Sequence, residues 1–296
     1  MTFRLIEAKK SQRSVSLLCN LLGVSRSGYY AWAGRPPSVR AVADAELTKT
    51  IREIHKDTKQ IYGAPRIHAE LADDHDVHVG QKRVARLMRA AGIVGVARGR
   101  KWRTTVADPA AAPAPDLVNR DFTAKAPDEL WIADFTYIPT GQGVLYLAVV
   151  IDVFSRMVVG WSMRDDMKAD LVVDALSMAI ERRCPAPGLI HHSDRGSQYT
   201  SLAFGRELKA SEIAASMGSR GDAYDNAAAE SFMATIKTEL TTRTRYATRH
   251  AARSDIFDYI EAFYNRRRRH SALGQKSPLV FEQIYATLTS DEAQAA

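Results

Sequence analysis

The chain has 296 residues, 46% hydrophobic and 25% charged, with a formal net charge of +7; this is the composition of an ordinary globular protein with room for one large core or two domains. Its longest clean apolar run, VLYLAVVI at 144–151, falls far short of the roughly 18–20 residues a membrane-spanning helix requires, and MTFRLIEAKK at the start has no apolar stretch behind its charges to act as a secretory signal. Cys19 and Cys184 are the only cysteines, which excludes a disulfide framework and suits a reducing compartment, so a cytoplasmic protein with no membrane partner is expected.

Charge is unevenly spread along the chain. Residues 1–105 hold 20 of the 41 Lys and Arg but 9 of the 34 Asp and Glu, so a polyanion-binding region is expected to precede a slightly acidic remainder; a solvated basic surface is the alternative. SVSLLCNLLGVSRSGYYAW (14–32) predicts a short helix, a turn at Gly23 and a second helix capped by Ser25. That outline is a helix-turn-helix, whose second helix fits a major groove, although short helical pairs also serve as plain packing units. Leu47, Ile51 and Ile54 share one face of the next helix, Pro65 suits the first turn of another, and Ile67 and Leu71 lie four apart. In GQKRVARLMRAAGI (80–93), Val84, Leu87, Met88 and Ala91 form an apolar stripe, and Lys82, Arg83, Arg86 and Arg89 take the remaining surface. These four cations are candidate DNA-phosphate contacts, with a merely solubilising face as the other reading.

Residues 1–103 are thus expected to form a helical, helix-turn-helix-like DNA-binding region. An Ala/Pro-rich linker at 104–120 follows, where Pro109, Pro113 and Pro115 stand among alanines without apolar periodicity. Beyond it the pattern changes to strands. Segments 130–138, 144–152 and 156–163 are rich in β-branched and aromatic residues and separated by short turns, which predicts three consecutive antiparallel strands. A helix at 169–182, a strand at 189–194, a helix at 199–208, a strand at 213–217 and helices at 223–240 and 252–267 complete a mixed α/β sheet with helices on both faces. This core is expected over 121–284, ahead of a flexible tail at 285–296.

Two adjacent histidines, His191 and His192, stand just before Asp194 and by themselves suggest a zinc site. The carboxylates suggest otherwise. Asp134 lies inside the first strand of this half, where a lone carboxylate is costly unless paired, hydrogen-bonded or bound to metal. Asp194 ends a later strand, where functional groups of α/β sheets collect. Glu230 follows three alanines (227–229) that allow close backbone approach, and Lys237 is two helical turns further on the same face. Any one of these carboxylates has an ordinary structural explanation. Taken together, three carboxylates without thiolates are hard oxygen ligands, suited to Mg²⁺ or Mn²⁺ rather than zinc.

The 35 residues between Asp194 and Glu230, with Lys237 seven past Glu230, resemble the DDE signature of retroviral-type integrases and transposases. RDFTAKAPDELWIADFTYI (120–138), HSDRGSQYTS (192–201), GDAYDNAAAESFMATIKTEL (221–240) and YNRRRRHSALGQKSP (264–278) are similar to the catalytic subunit, the OrfB type, of bacterial insertion-sequence transposases of the IS-three family. YGAPRI (62–67) and RVARLMRAAGI (83–93) match the helical region preceding the core in those proteins, so the resemblance runs from about Ser14 to Phe281. It implies an RNase H-like integrase catalytic core that cuts and joins DNA. Water attacks a phosphodiester at the element end, and the freed 3′-hydroxyl then attacks another phosphodiester. Carried over by motif, Asp134 bridges two Mg²⁺ or Mn²⁺ ions, Asp194 holds one and Glu230 the other, while Lys237 contacts DNA near the scissile phosphate.

The resemblance also implies double-stranded DNA partners (element ends and target), at least a dimer on DNA, and a partner or fusion from an upstream reading frame, at work on the bacterial nucleoid. Asn226 either positions DNA and the metal shell or caps and packs its helix. His192 either orients the site and touches phosphate or is a buried histidine hydrogen-bonded within the sheet. Arg266, Arg267, Arg268 and Arg269 form an anion-binding patch, or offset a helix C-terminus. His75 and His78 have no cysteine pair near them, so the zinc module of retroviral integrases is not expected. Two other functions stay open at this point: a catalytically silent DNA-binding regulator on a degenerate core, and a nuclease of the same fold acting on RNA–DNA hybrids.

Overall fold

Three strands follow one another where the sequence turns β-branched and aromatic: β1 (Leu130–Thr140), β2 (Gly143–Asp152) and β3 (Val158–Arg164). They pair antiparallel, with Asp134 opposite Val149. On its other edge β1 pairs in parallel with β4 (Ile190–Ser193), which pairs in parallel with β5 (Ala214–Met217), giving a five-stranded mixed sheet in the order β3-β2-β1-β4-β5. The computed structural model describes residues 2–97, 123–194, 198–217 and 227–295. The expected linker at 104–120, and Asn226, lie outside these residues.

The period-two alternation of β1 decides what each sheet face meets. Leu130, Ile132 and Ile138 join Leu145, Leu147, Val149 and Ile151 of β2 on one face, under Phe232 and Ile236 of α9 (Ala227–Ile236) and Ile256 of α10 (Arg249–Asp258). Trp131 and Ala133, with Ala148 and Val150, face the other way onto Leu171 and Leu176 of α7 (Ala169–Arg183) and Phe204 of α8 (Leu202–Ala210). Helices therefore cover both faces. Ser201 caps α8 by accepting from the Phe204 N–H at 3.3 Å, which starts that helix three residues later than the sequence pattern predicts.

The approach of α7 to β3 depends on Gly160, where an added Cβ would lie 2.1 Å from the Ala175 carbonyl oxygen and 2.7 Å from the Ala179 nitrogen. Both are backbone atoms and cannot swing aside. Gly160→Ala is expected to cost at least about 3 kcal/mol, read as a lower urea midpoint at unchanged slope.

The N-terminal helices divide into two groups. α1 (Thr2–Lys9), α2 (Val15–Leu21) and α3 (Arg26–Ala33) enclose a small core of Ile6, Cys19 and Tyr29. The helix-turn-helix outline is present there: Ser14 and Ser25 cap α2 and α3 by accepting from Leu17 and Gly28 N–H, and Gly23 takes φ +67° between them. α4 (Val39–Asp57), α5 (Ala64–Asp73) and α6 (Gln81–Ala90) instead give Ile51, Ile54, Ile67, Leu71 and Val84 to the same continuous core as the first sheet face.

One boundary is corrected. Residues 285–295, expected as a tail, continue α11 (Pro278–Ala295). Pro278 opens this helix, Ser277 accepts from the Val280 N–H, and no Gly or Pro follows to stop it. Phe281 and Tyr285 fix it to Phe154 at ring distances of 5.1 and 4.8 Å. No helix among the described residues is long and apolar enough to cross a membrane.

Candidate active site

Sheet register brings the first two carboxylates together. β1 and β4 pair in parallel with Leu130 beside Ile190 and Ile132 beside His192. Continuing this register by two residues sets Asp194 alongside Asp134, and the period of two keeps both on the face that carries Ile132. That is the face covered by α9, the helix bearing Glu230. The helix continues into a π-helical turn at Lys237–Thr241, and the Lys237 ammonium sits 5.7 Å from the centre of the Tyr137 ring. A π turn is a common local distortion at functional sites.

Asp134 registers all three neighbours. Its carboxyl is pushed up to about 7, first by burial and then by the negative charges of Asp194 and Glu230; the Phe135 N–H, donating at 2.8 Å, and the Lys237 charge pull it partly back. Such like-charge crowding in a half-buried place is relieved either by a proton or by a cation. All three donors are hard oxygens, the set that Mg²⁺ or Mn²⁺ prefers, so the residues present fit such an ion. Among the described residues no three His, Cys, Asp or Glu side chains converge closely enough to enclose a metal as they stand.

The two histidines do not make a ligand pair. Adjacent strand residues face opposite sides. His191 is buried edge-on against Phe204, 5.2 Å between rings, and burial, then His192, pushes it down to about 4. His192 is fully buried and shares a 3.0 Å hydrogen bond between its Nδ1 and Ser216 Oγ on the neighbouring strand. Of the two readings of His192, its burial and this bond match the histidine hydrogen-bonded within the sheet.

The sequence reading missed Tyr199. Its ring packs on Phe135 and Phe204, and its buried hydroxyl has no hydrogen-bond partner among the described residues. Burial, then Asp134 and Asp194, push that hydroxyl well above its ordinary range. Its position within the word QYT was the available signal, read only as a helix start. Because the hydroxyl is buried without a partner among the described residues, Tyr199→Phe is expected to be as stable as the wild type or up to about 1 kcal/mol more stable, read as an equal or higher melting temperature.

The match to known proteins is extensive. A family model described as integrase core domain matches residues 124–223, a second of the same description matches 211–278, and one described as HTH-like domain matches 42–101. The transposase for insertion sequence element IS629 of Shigella sonnei is 38% identical over 98% of this chain and 99% of its own length. Transposase InsF for insertion sequence IS3A of Escherichia coli K12 is 39% identical over 95% of this chain and 98% of its own. The chain belongs to the transposases of IS3-family insertion sequences. Among solved structures, the HTLV-2 integrase catalytic core domain in complex with magnesium is 18% identical, covering 52% of this chain and 95% of that one, with a TM-score of 0.40. In this transposase the HTH-like match takes in most of α4 together with α5 and α6, the helices joined to the integrase core, rather than α2–α3.

The expected DNA-contact residues of the transposase fall into two groups. Lys82 and Arg89 of α6 are exposed. Arg83 and Arg86 both bind Asp44 of α4, at 2.7 and 2.6 Å, and their hydrogen bonds, Arg86 first, hold the Asp44 carboxyl below the usual range. Arg266 and Arg267 are exposed, whereas Arg268 and Arg269 are not. Arg268 is buried and forks onto Glu239 at 2.6 and 2.8 Å. Arg269 is buried against Glu70 (2.5 Å), Asp74 (3.0 Å) and Asp73, all from α5 or its end. The four-arginine patch is therefore corrected to two exposed cations and two internal ion pairs, the second of which ties the HTH-like helices to the core. Tyr62 adds to this tie by donating to the Arg267 carbonyl and accepting from the Arg269 N–H, each at 2.9 Å.

Proposed function

We propose that this transposase catalyses metal-dependent 3′-end cleavage of its insertion-sequence ends and their transfer into target DNA, with Asp134, Asp194 and Glu230 as the catalytic carboxylates. The observation that carries this reading is geometric: the parallel register of β1 and β4, continued by two residues, sets Asp194 alongside Asp134 on the sheet face covered by α9, the helix that bears Glu230. Bound by these carboxylates, Mg²⁺ or Mn²⁺ would activate the attacking oxygen and offset charge on the leaving oxygen.

The chain itself supplies position. Asp134 is held between β2 and β4 in the middle of the sheet, with one carboxylate oxygen fixed by the Phe135 N–H. Glu230 is carried by a helix whose Phe232, Met233 and Ile236 are buried against the same face. Lys237 adds a cation beside the three anions, suited to a phosphodiester oxygen. Little covalent chemistry is required of the protein, so positioning and charge neutralisation carry the rate. Two element ends must be held together during transfer, so the working form is at least a dimer on DNA, in the bacterial cytoplasm at the nucleoid, with an upstream-frame product as partner or fusion.

The test uses a labelled duplex of the element's own end, with Mg²⁺ or Mn²⁺, and the protein both alone and fused to its upstream frame. Wild type is expected to cut and join, and Asp194→Asn to do neither. Cleavage at full rate by Asp194→Asn would overturn the carboxylate assignment. DNA binding without cleavage by either form would instead favour a silent regulator.

A further inference from the structure

A cleft of about 710 Å³ opens between α5 and the integrase core, within the range of small-ligand sites, about 300–1,000 Å³. Ser231, Phe232, Thr235, Thr238 and Glu239 line it from α9 and the π turn. By helical periodicity they occupy a different face of that segment from Glu230 and Lys237.

The charge in this cleft does not balance. Arg66, Arg156 and Arg268 all line it, with Glu239 as the single carboxylate among the described residues. Arg268 takes both oxygens of Glu239, which also accepts from the Tyr259 hydroxyl at 2.7 Å. Arg66 reaches the same carboxylate at only 3.4 Å. Arg156, half-buried, forms no ion pair among the described residues. One imidazole registers the excess: His270 is pushed down to about 2 by burial and then by the charges of Arg268, Arg66 and Arg156. Three guanidiniums thus crowd one side chain, with two positive charges beyond what Glu239 offsets. This inverts the carboxylate site, and an anion is what would relieve it.

The lining chooses among anions. Thr238 and Ser271 line the same cleft, and hydroxyls beside guanidiniums are a donor set that phosphate oxygens accept from. The walls come from both the HTH-like segment (Gly63, Pro65, Arg66, Val96) and the integrase core, and Ser231 directly follows Glu230. A DNA strand running from the carboxylate site to the HTH-like helices would bring its phosphates past this cleft. We propose that the cleft is a subsite for a DNA backbone phosphate, contacted by Arg156 and Arg66 and held in shape by the Arg268–Glu239 pair. This rests on the reading of the chain as a DNA transposase.

The test is fluorescence anisotropy of the full-length protein with a short labelled duplex of arbitrary sequence, over a range of salt. Arg156→Gln is expected to weaken binding about 5- to 10-fold and to lower the salt slope by about 1, while Arg156→Lys keeps most of the affinity. Arg66→Gln carries the same expectation if Arg156→Gln does not fold. Thermal unfolding with inorganic phosphate separates the source of the anion. Unchanged affinity and slope in folded Arg156→Gln would overturn the proposal. So would loss of phosphate stabilisation without loss of DNA affinity, which would make this a site for small anions. Duplex binding needs no cleavage, so failure here is distinguishable from failure of the cleavage reading, which Asp194→Asn tests.

Discussion

Asp134→Asn is expected to remove DNA cleavage, by about 10³-fold, and at the same time to make the protein more stable. The two effects share one cause. Burial and the charges of Asp194 and Glu230 hold the Asp134 carboxyl near 7, far above an unfolded aspartate at about 3.9. Between those values the folded state binds more protons than the unfolded one, so the group's stabilising contribution is complete below about pH 4 and is lost as pH rises through 7. Asparagine has no proton to lose. In the absence of divalent cations the variant and wild type should therefore unfold alike near pH 4, and differ by about 1–3 kcal/mol at pH 8. Urea denaturation across this range, in a chelating buffer, checks it; a variant less stable than wild type at pH 8 would contradict the electrostatic picture.

Arg268→Ala is expected to cost about 3–5 kcal/mol, because it leaves the Glu239 carboxylate buried with its main partner gone. Burial alone pushes Glu239 up, and it is the hydrogen bonds and charge of Arg268 that bring it below the usual range. Arg66 and the Tyr259 hydroxyl, the other groups on this carboxylate, do not replace a forked guanidinium. Arg266→Ala and Arg267→Ala, by contrast, change exposed side chains and should leave stability within about 0.5 kcal/mol while weakening DNA binding. Parallel denaturation and duplex-binding measurements separate the pairs. Equal loss of DNA affinity in all three variants, without loss of stability in Arg268→Ala, would restore the single basic patch.

Much of the core was legible because its signals are local. Alternation in β1, β2 and β3, the apolar stripe Val84, Leu87 and Met88, and the serine caps each act within a few residues. The three proposed carboxylates could be singled out because their residue types and spacing are specific, and the register of β1 against β4, continued by two residues, sets Asp194 alongside Asp134. What sequence could not supply was the partner of each charge. Four consecutive arginines look alike on the page, yet Glu239 and the α5 carboxylates Glu70 and Asp73, with Asp74 just beyond, lie 29 and nearly 200 residues away from Arg268 and Arg269. The same holds for Arg83 and Arg86, which share the one carboxylate of Asp44 across a helix pair. Tyr199 and Arg156 escaped notice because each matters only through neighbours brought in by the fold. The tail was misjudged on its polar composition, although Phe281 and Tyr285 already offered a face to pack.

The most direct measurement is the thermal unfolding of the wild type and of Asp134→Asn, Asp194→Asn and Glu230→Gln with and without Mn²⁺. If the three carboxylates form one cation site, Mn²⁺ at about 100 times its dissociation constant stabilises the wild type by about 2.7 kcal/mol. Each single variant should lose most of that gain. Equal stabilisation of all four proteins by Mn²⁺ would show that Asp134, Asp194 and Glu230 do not hold the ion together.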